Sequence, residues 1–600
     1  MQFPVIPERG VVVFDVETDG VDWRRNKPVG YVVTLGPDYK QSHYFPIRHA
    51  DGGNVPEDEV LRWIGGWAKN PGLRIVGHNL KFDLHFAKND GIEFAGPVEC
   101  TMVNAALIDE NAGKYGLEEC ARRAGVSAKR ADEMYHHLAS VFGGEATRKQ
   151  MANFHKLAGD DAIAEGYARQ DGVTTWQLWE WQQQQIAQQD LELVHGVECR
   201  VLNTLFRMER HGVRVDESKL EWLKVHLTKE LRKAEKALPK EFNVRSTPQI
   251  LSYVKGLGVS GWPLTEKQNP SFTEEFLVTF PEGRNIVAVR KISNLINAFV
   301  NPLIEEHLYQ GRVHTNFNQL KQDEYGVATG RLSSSDPNLQ QVPKRDKVLG
   351  RLFRAIFIPD PGFQWGTADY SQQEFRVFTE YTGAQMLMDG YMADPPIDIH
   401  TNVANMMGVE RDPTAKRMNL GLLYGMGYKK LAASLGVSHE EARDLFDRYD
   451  SMLPEARKFL KAAEYWARQR GWVRTKLRRR RRFPNSEFAH KAGNSIIQGT
   501  SADITKVKMV EIDQFFTDES SGSRLLLQVH DELDWQVPVG DGEVSKKALS
   551  IMKAFEQTDT IHLKVPMGVD YRMGRSWAEA TYGAEVKSGK QRGTVSKGVA

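Results

Sequence analysis

Cysteine is nearly absent from this chain, with three in 600 residues: Cys100, Cys120 and Cys199. Three cannot build a disulfide framework and none falls in a zinc-ligand spacing, so a stapled secreted fold and a zinc ribbon are excluded and a reducing cytoplasm is expected. Long apolar runs are missing too. No stretch approaches the roughly 20 residues that a membrane-spanning helix needs, and the opening MQFPVIPERG lacks the form of a signal peptide. There is no internal repeat. Net charge is small: 79 Lys+Arg against 78 Asp+Glu leave +1, which by itself argues against a nucleic-acid partner, although overall neutrality can conceal strong local fields.

What is present is a set of carboxylates placed where hydrophobic strands run out. Asp369 lies in TADYSQQEFR, which passes from strand to helix. Asp531 lies in LLLQVHDELDWQV, which reads as a hairpin with apolar arms and His530, Asp531 and Glu532 at its tip. An Asp at a strand end is often only a turn former or a helix cap. Two delivered by separate strands suggest a divalent-metal site, because hard cations take oxygen ligands and leave positions for waters and substrate phosphates. Two such ions activate an attacking oxygen and stabilise a leaving one, so phosphoryl transfer is the natural chemistry. The segment AKRMNLGLLYG supplies a cation for it. Lys416, Leu420 and Tyr424 are spaced i, i+4, i+8 on one helical face, and a lysine facing a triphosphate neutralises charge that develops during transfer.

A second constellation lies near the N-terminus. VVVFDVETDG begins as a buried strand on which Asp15 and Glu17 share a face. GHNLKFDLHF puts Asn79 and Asp83 one helical turn apart, and GYARQDG does the same for Tyr167 and Asp171. Asp15, Glu17, Asp83 and Asp171 thus arrive from three segments, a donor set suited to metal-assisted hydrolysis. Phe82 and its apolar neighbours are expected to pack the core.

Six hundred residues are too many for one core and suit a small domain followed by a large body of several subdomains. The glutamine-rich WEWQQQQIAQQD, Trp179 to Asp190, has no Gly or Pro and reads as a helix leading from one to the other, with the boundary near residue 190. The polar, turn-rich tail 585–600 is expected to be disordered.

The ordered motifs resemble those of family A DNA polymerases, the DNA polymerase I group. DYSQQEFR, AKRMNLGLLYG and QVHDE are similar to that family's motifs A, B and C. MERHGVRVD, RVHTNFNQ, ATGRLSSSDPNLQQVPKR, DIHT, NSIIQGTSADI and MGRSWAEA extend the likeness over nearly all of Leu191 to Thr581. The resemblance implies a template-directed enzyme that joins dNTPs to a primer 3'-hydroxyl with loss of pyrophosphate. Mg²⁺, or Mn²⁺ in its place, would sit at Asp369 and Asp531 beside Glu532. It also implies an α+β body: an antiparallel palm sheet bearing both aspartates, fingers containing the Lys416 helix, and a helical thumb from about Glu217 to Leu308, with palm and fingers over 309–584. Tyr424 would lie at the templating base, Arg345 and His400 near the incoming nucleotide, and Arg331, Asn494 and Gln498 at the primer-template junction, with His530 a further substrate contact. Glu374 takes the steric-gate position, where its bulk excludes a ribose 2'-hydroxyl. A single-subunit RNA polymerase is disfavoured on that ground.

The N-terminal set resembles the proofreading 3'-5' exonucleases of the DEDD superfamily, in the subclass whose third motif carries tyrosine. That implies an α/β, ribonuclease H-like domain over 1–190, with two metals at Asp15, Glu17, Asp83 and Asp171, Tyr167 orienting the attacking water, and a single-stranded DNA 3' end as partner. A rival reading, an exonuclease whose body only grips DNA, is disfavoured by the intact Asp369, Lys416, Tyr424 and Asp531. VVVFDVET follows only ten residues from the start, which leaves no space for a 5'-nuclease domain. The organisation looks like that of a bacteriophage or minimal bacterial enzyme, a monomer in the bacterial cytoplasm whose replication partners the sequence does not name.

Two positions depart from the family pattern. Asp412 stands where an arginine is usual, four residues before the lysine, and Asp412-Pro413 reads as an N-cap and first helical residue, leaving Arg411 just outside the helix. Leu420 replaces the usual phenylalanine or tyrosine, and an aliphatic chain can neither stack on a sugar nor pair with a 3'-hydroxyl. A third feature has two readings. From Arg468 to Arg482 there are nine basic residues and no acidic ones, ending in RRRRR, and this is either a solvated face or, by likeness to a basic string in the family, a surface that holds DNA phosphates.

Overall fold

The computed structural model describes residues 3–127, 131–265, 267–320, 328–423, 426–555 and 560–584. Tyr424, the side chain of Leu420 and the tail 585–600 lie outside what is described. Strands β1 (Gly10–Thr18), β2 (Pro28–Thr34), β3 (Ser42–Pro46), β4 (Leu73–Gly77) and β5 (Val98–Cys100) form one sheet in the order β3-β2-β1-β4-β5. β1 is antiparallel to β2 and parallel to β4. Its run VVVF is apolar on both faces because helices cover both sides of such a sheet. Val12, Phe14 and Val16 pack with Ile75, Leu80 and Leu84 of β4 and helix α1 (Leu80–Asn89), while helix α2 (Ala162–Gln188) lies across β1, β2 and β3.

The start of α2 is fixed by Asp161, whose Oδ1 accepts from the backbone N–H of Ile163 and Ala164, each at 2.9 Å. Gly172 then lets the helix press onto the sheet, since a Cβ there would run into Thr34 Oγ1 and Ser42 Oγ. The glutamine-rich stretch is the end of this same helix, not a separate connector. After a break in which Asp190 takes φ 58°, helix α3 (Glu192–His211) carries the chain into the C-terminal body.

Helices Glu217–Lys236, Thr247–Gly256 and Pro281–Leu295 follow, with a small apolar cluster of their own around Val244, Ile250, Val254 and Ile286. The centre of the body is a second sheet of β6 (Phe363–Ser371), β7 (Arg524–Val529), β8 (Glu532–Pro538) and β9 (Gly568–Gly574), in the antiparallel order β7-β8-β6-β9. β6 runs into helix α4 (Gln373–Thr382), followed by α5 (Ile399–Met407) and α6 (Lys416–Leu423). Helix α7 (Ala492–Glu519) is buried along most of its length, with Ile497, Ile504, Met509 and Ile512 in the core, and packs against α3. The two cores interlock: Leu107, Ile108 and Ile186 of the N-terminal domain join the body's core, and Leu202 of α3 joins the core of the N-terminal domain.

The basic run divides: Arg468, Arg470, Arg474 and Arg478 are exposed, whereas the rest of its RRRRR end is turned toward protein partners. Arg478 pairs with Asp190, Arg481 Nη1 lies 3.0 Å and Arg482 Nη1 2.5 Å from the Glu110 carboxylate, and Arg479 is buried between Glu198 and Asp503. Arg480 lies over the Trp472 ring at 4.1 Å. Four of the five arginines thus meet acids, and those at Glu110, Asp190 and Glu198 lie in or just beyond the N-terminal domain. The RRRRR end is a seam between domains.

Candidate active sites

Residues directly opposite in an antiparallel sheet share a face, and that rule assembles the first site. Asp369 on β6 lies opposite Glu532 on β8 and, on its other side, opposite Asp570 on β9, so three carboxylates form a row across three strands. Asp570 had no role in the sequence reading. Asp531 occupies the two-residue turn between β7 and β8, and its carbonyl accepts from the N–H of Tyr370 at 3.2 Å. His530 takes φ 61°, the left-handed geometry such tight hairpins require. Below the row, buried Asp534 accepts from Trp365 Nε1 at 3.0 Å and Thr367 Oγ1 at 2.5 Å.

Burial, and then the facing Asp369 carboxylate, push Asp531 up to about 6. Asp369 is raised as well, its burial outweighing the opposing pull of Lys344. Carboxylates that resist ionising side by side form a donor set short of positive charge, and a divalent cation supplies what is lacking. Glu532 Oε1 is buried and receives no hydrogen bond among the described residues, with Arg354 Nη1 at 3.9 Å. The residues therefore fit a metal. Lys344, another residue the sequence reading passed over, places Nζ 2.7 Å from both Asp369 Oδ2 and Glu532 Oε2.

Glu374, in the first turn of α4, is paired with Arg331. His400 on α5 is buried, its Nδ1 bonded to Asn419 Nδ2 on α6 at 2.9 Å and its ring edge-on to Phe375 at 5.7 Å. Asp398 caps α5 by accepting from Thr401 N–H at 2.8 Å and also holds Arg411 Nη2 at 3.0 Å, so Arg411 is tied back to α5. Asp412 is extended, φ −117°, as an N-cap would be, and Lys416 opens α6 as an exposed side chain. Arg345 is exposed in the loop after Lys344. Asn494 and Gln498 stand one turn apart on α7, half-buried.

The N-terminal site is compact. Carboxylate oxygens of Asp15, Glu17 and Asp171 all lie within 4.8 Å of one another. Asp83 is buried on α1; its Oδ1 accepts from the Val16 N–H at 3.2 Å and its Oδ2 has no hydrogen-bond partner among the described residues. Burial first, and then Asp15, hold its carboxyl well above the usual range. This donor set also fits divalent cations. Asn79 precedes α1 with φ 63°, and Tyr167 packs near Phe154 at 6.0 Å. Both line a cavity of about 780 Å³ whose far wall is Phe317, Asn318 and Gln319 of the body. Phe82 packs in the core, 4.8 Å from the Phe86 ring.

The body also braces α1. Glu209 on α3 accepts from Lys81 Nζ at 2.5 Å and from Phe317 N–H at 2.6 Å, and its other oxygen meets His85 Nε2 at 2.9 Å. Lys81 and His85 flank Asp83 on the same helix. A different trio, Glu99, His195 and Cys199, also comes together, His195 and Cys199 being one turn apart on α3. Glu99 Oε1 already receives Asn104, Trp179, Gln183 and His195 at 2.6–3.1 Å, and Arg74 holds Oε2, so this carboxylate is structurally committed.

Comparison with known proteins agrees with this geometry. Residues 217–579 match the family model for DNA polymerase family A, and residues 6–180 match that for a 3'-5' exonuclease. The chain is 32% identical to DNA polymerase DpoZ of Salmonella phage PMBT28, over 96% of this chain and 98% of that protein. It is 29% identical to DNA polymerase I of Chloroflexus aurantiacus, over 94% of this chain but 61% of that longer protein. Among solved structures, the POL domain of Pol1 from M. smegmatis in complex with DNA primer-template and dNTP superposes with a TM-score of 0.79 at 26% identity, covering 96% of this chain and 97% of that one. A chain matched over this much of its length belongs to DNA polymerase family A and is a DNA-directed DNA polymerase with a 3'-5' exonuclease domain.

Proposed function

We propose that Asp369 and Asp531, with Glu532 beside them, hold two Mg²⁺ ions for addition of a dNTP to a primer 3'-hydroxyl, and that Asp15, Glu17, Asp83 and Asp171 hold two for removal of a mismatched terminal nucleotide. The observation that carries the reading is the cross-strand row of Asp369 with Glu532, beside the turn residue Asp531, whose burial, and then the facing Asp369, push it up to about 6. When bound, Mg²⁺, or Mn²⁺ in its place, supplies Lewis acidity at the attacking and leaving oxygens. The chain does the rest by positioning. Asp369 is fixed by pairing on both edges of β6 and Asp531 by the turn it closes, so their oxygens are held in place before substrate arrives. Lys416 holds the triphosphate, with Arg345 and His400 nearby. By the family resemblance Tyr424 would contact the templating base and nascent pair and Leu420 the sugar of the incoming nucleotide. Glu374, braced by Arg331, fills the space a 2'-hydroxyl would need. Arg331, Asn494, Gln498 and His530 grip the primer-template, and Tyr167 orients the water that attacks at the exonuclease site.

On this reading residues 1–190 trim a single-stranded 3' end and residues 191–584 extend it, with a thumb over about 217–308. The M. smegmatis neighbour, bound to primer-template and dNTP, supports the same partners here. The phage relatives support an enzyme that copies a phage genome in the host cytoplasm, and on this reading it acts as a monomer. Extension of a primed long template, with dNTPs and with rNTPs in parallel, tests it. Long products are expected from dNTPs alone; equal use of rNTPs, or trimming without extension, contradicts it.

A further inference from the structure

We propose that Lys344 is an internal counter-ion of the polymerase carboxylates, competing with divalent metal for Asp369 and Glu532 and so setting how much metal the polymerase reaction requires. The inference rests on the reading of Asp369 and Asp531 as metal ligands. Its geometry is direct: one ammonium lies 2.7 Å from an oxygen of each of two cross-strand neighbours. A cation bound by Asp369 draws on the same carboxylate, so the two positive charges cannot both be fully served.

The lysine is delivered by a braced stem. Tyr582 Oη donates to the Lys344 carbonyl at 2.9 Å, Arg354 Nη2 donates to the Val342 carbonyl at 3.4 Å, and Gln340 Nε2 donates to Gln528 Oε1 at 2.9 Å on β7. Val342 itself is buried. The side chain beyond this stem is 46% exposed, so it can leave the carboxylates without disturbing the core. Its counterpart Arg354 cannot: it is 1% exposed and stacked on Trp577 at 3.9 Å. The site therefore holds one fixed cation behind Glu532 and one removable cation in front. The Asp369 pair is partly exposed on both sides, and the Glu532 pair joins a half-exposed ammonium to a carboxylate that is buried but also has Arg354 behind it, so the ammonium can yield to metal without leaving Glu532 alone.

The test is Mn²⁺ binding, read from the paramagnetic resonance of the free ion, on the full chain carrying Asp15→Ala and Glu17→Ala so that the polymerase carboxylates dominate. Lys344→Met is expected to tighten Mn²⁺ binding by about three- to thirtyfold, the scale of two such ion pairs. Lys344→Arg, which keeps the charge, should stay within about twofold of the parent. Melting temperatures with and without Mn²⁺ give a second readout: the metal-induced rise should be larger in Lys344→Met than in the parent. Unchanged or weaker Mn²⁺ binding in Lys344→Met overturns the proposal. Binding that survives Asp531→Ala unaltered would instead overturn the metal-site reading, and this proposal with it.

Discussion

Arg479 reaches Glu198 from 281 positions away in the chain and donates to its Oε1 at 2.5 Å, with side chains only 10% and 2% exposed. Lys506 meets the same oxygen at 2.5 Å. Burial alone would raise the Glu198 carboxyl, but Lys506 and Arg479 hold it down to about 2. Removing one partner of such a buried pair strands the other charges. Glu198→Ala is expected to cost about 3–5 kcal/mol in denaturant unfolding. The pH dependence follows from the sign of the shift. A carboxyl depressed on folding contributes in full above its unfolded value, ordinarily near 4.5, and that contribution fades as pH falls toward 2. The gap between parent and Glu198→Gln should therefore narrow from pH 6 to pH 3.

The arginine seam makes a prediction about salt. Each phosphate contact contributes about 0.9 to the slope of log affinity against log salt. Because Arg481 and Arg482 meet Glu110 and not open solvent, Arg481→Ala with Arg482→Ala should leave that slope for primer-template DNA unchanged within about 0.5. A loss of nearly two would mean that the run grips DNA after all.

The acidic partners of the RRRRR end are not legible in the sequence, for a physical reason. A charge run shows its own sign in the sequence but not its partners, and here the contacts join residues 281 to 372 positions apart. Local signals did better. The approach of Asp15, Glu17 and Asp171, and the strand and turn positions of Asp369 and Asp531, were legible because each sits in a strand end or helical turn whose period is written in adjacent residues. Lys344 and Asp570 were not, because their roles arise from which strands become neighbours. The glutamine-rich helix was recognised but not its start, since nothing in Trp179–Asp190 shows that the same helix begins at Ala162 with Asp161 as cap.

Glu209 offers a way to reach the exonuclease site from the polymerase body. Its carboxylate anchors Lys81 and His85 on either side of Asp83, so Glu209→Gln should loosen the helix that presents a metal ligand. Exonuclease activity is expected to fall about ten- to a hundredfold, as when an outer partner of a ligand is lost. Primer extension in the same preparation should change by less than about threefold. Equal losses in both assays would mean that Glu209 only stabilises the fold.

Sugar choice tests the placement of Glu374. Glu374→Ala should raise rNTP use relative to dNTP by about ten- to a hundredfold in kcat/KM, the value of one steric contact of about 1–3 kcal/mol. An unchanged ratio would assign the gate to another residue.

On the proposed reading, two separate carboxylate sites on one chain do opposite chemistry. The direct measurement follows one labelled primer with a mismatched 3' end, scored for trimming without dNTPs and for extension with them, in Asp531→Asn and in Asp15→Ala with Glu17→Ala. Asp531→Asn should trim at close to the parent rate and extend about a thousandfold more slowly, the loss expected when a ligand that organises transition-state charge is removed. The N-terminal double variant should do the reverse, extending matched primers normally and failing to trim. Extension by Asp531→Asn at near the parent rate, or loss of both activities in either variant, would contradict the account.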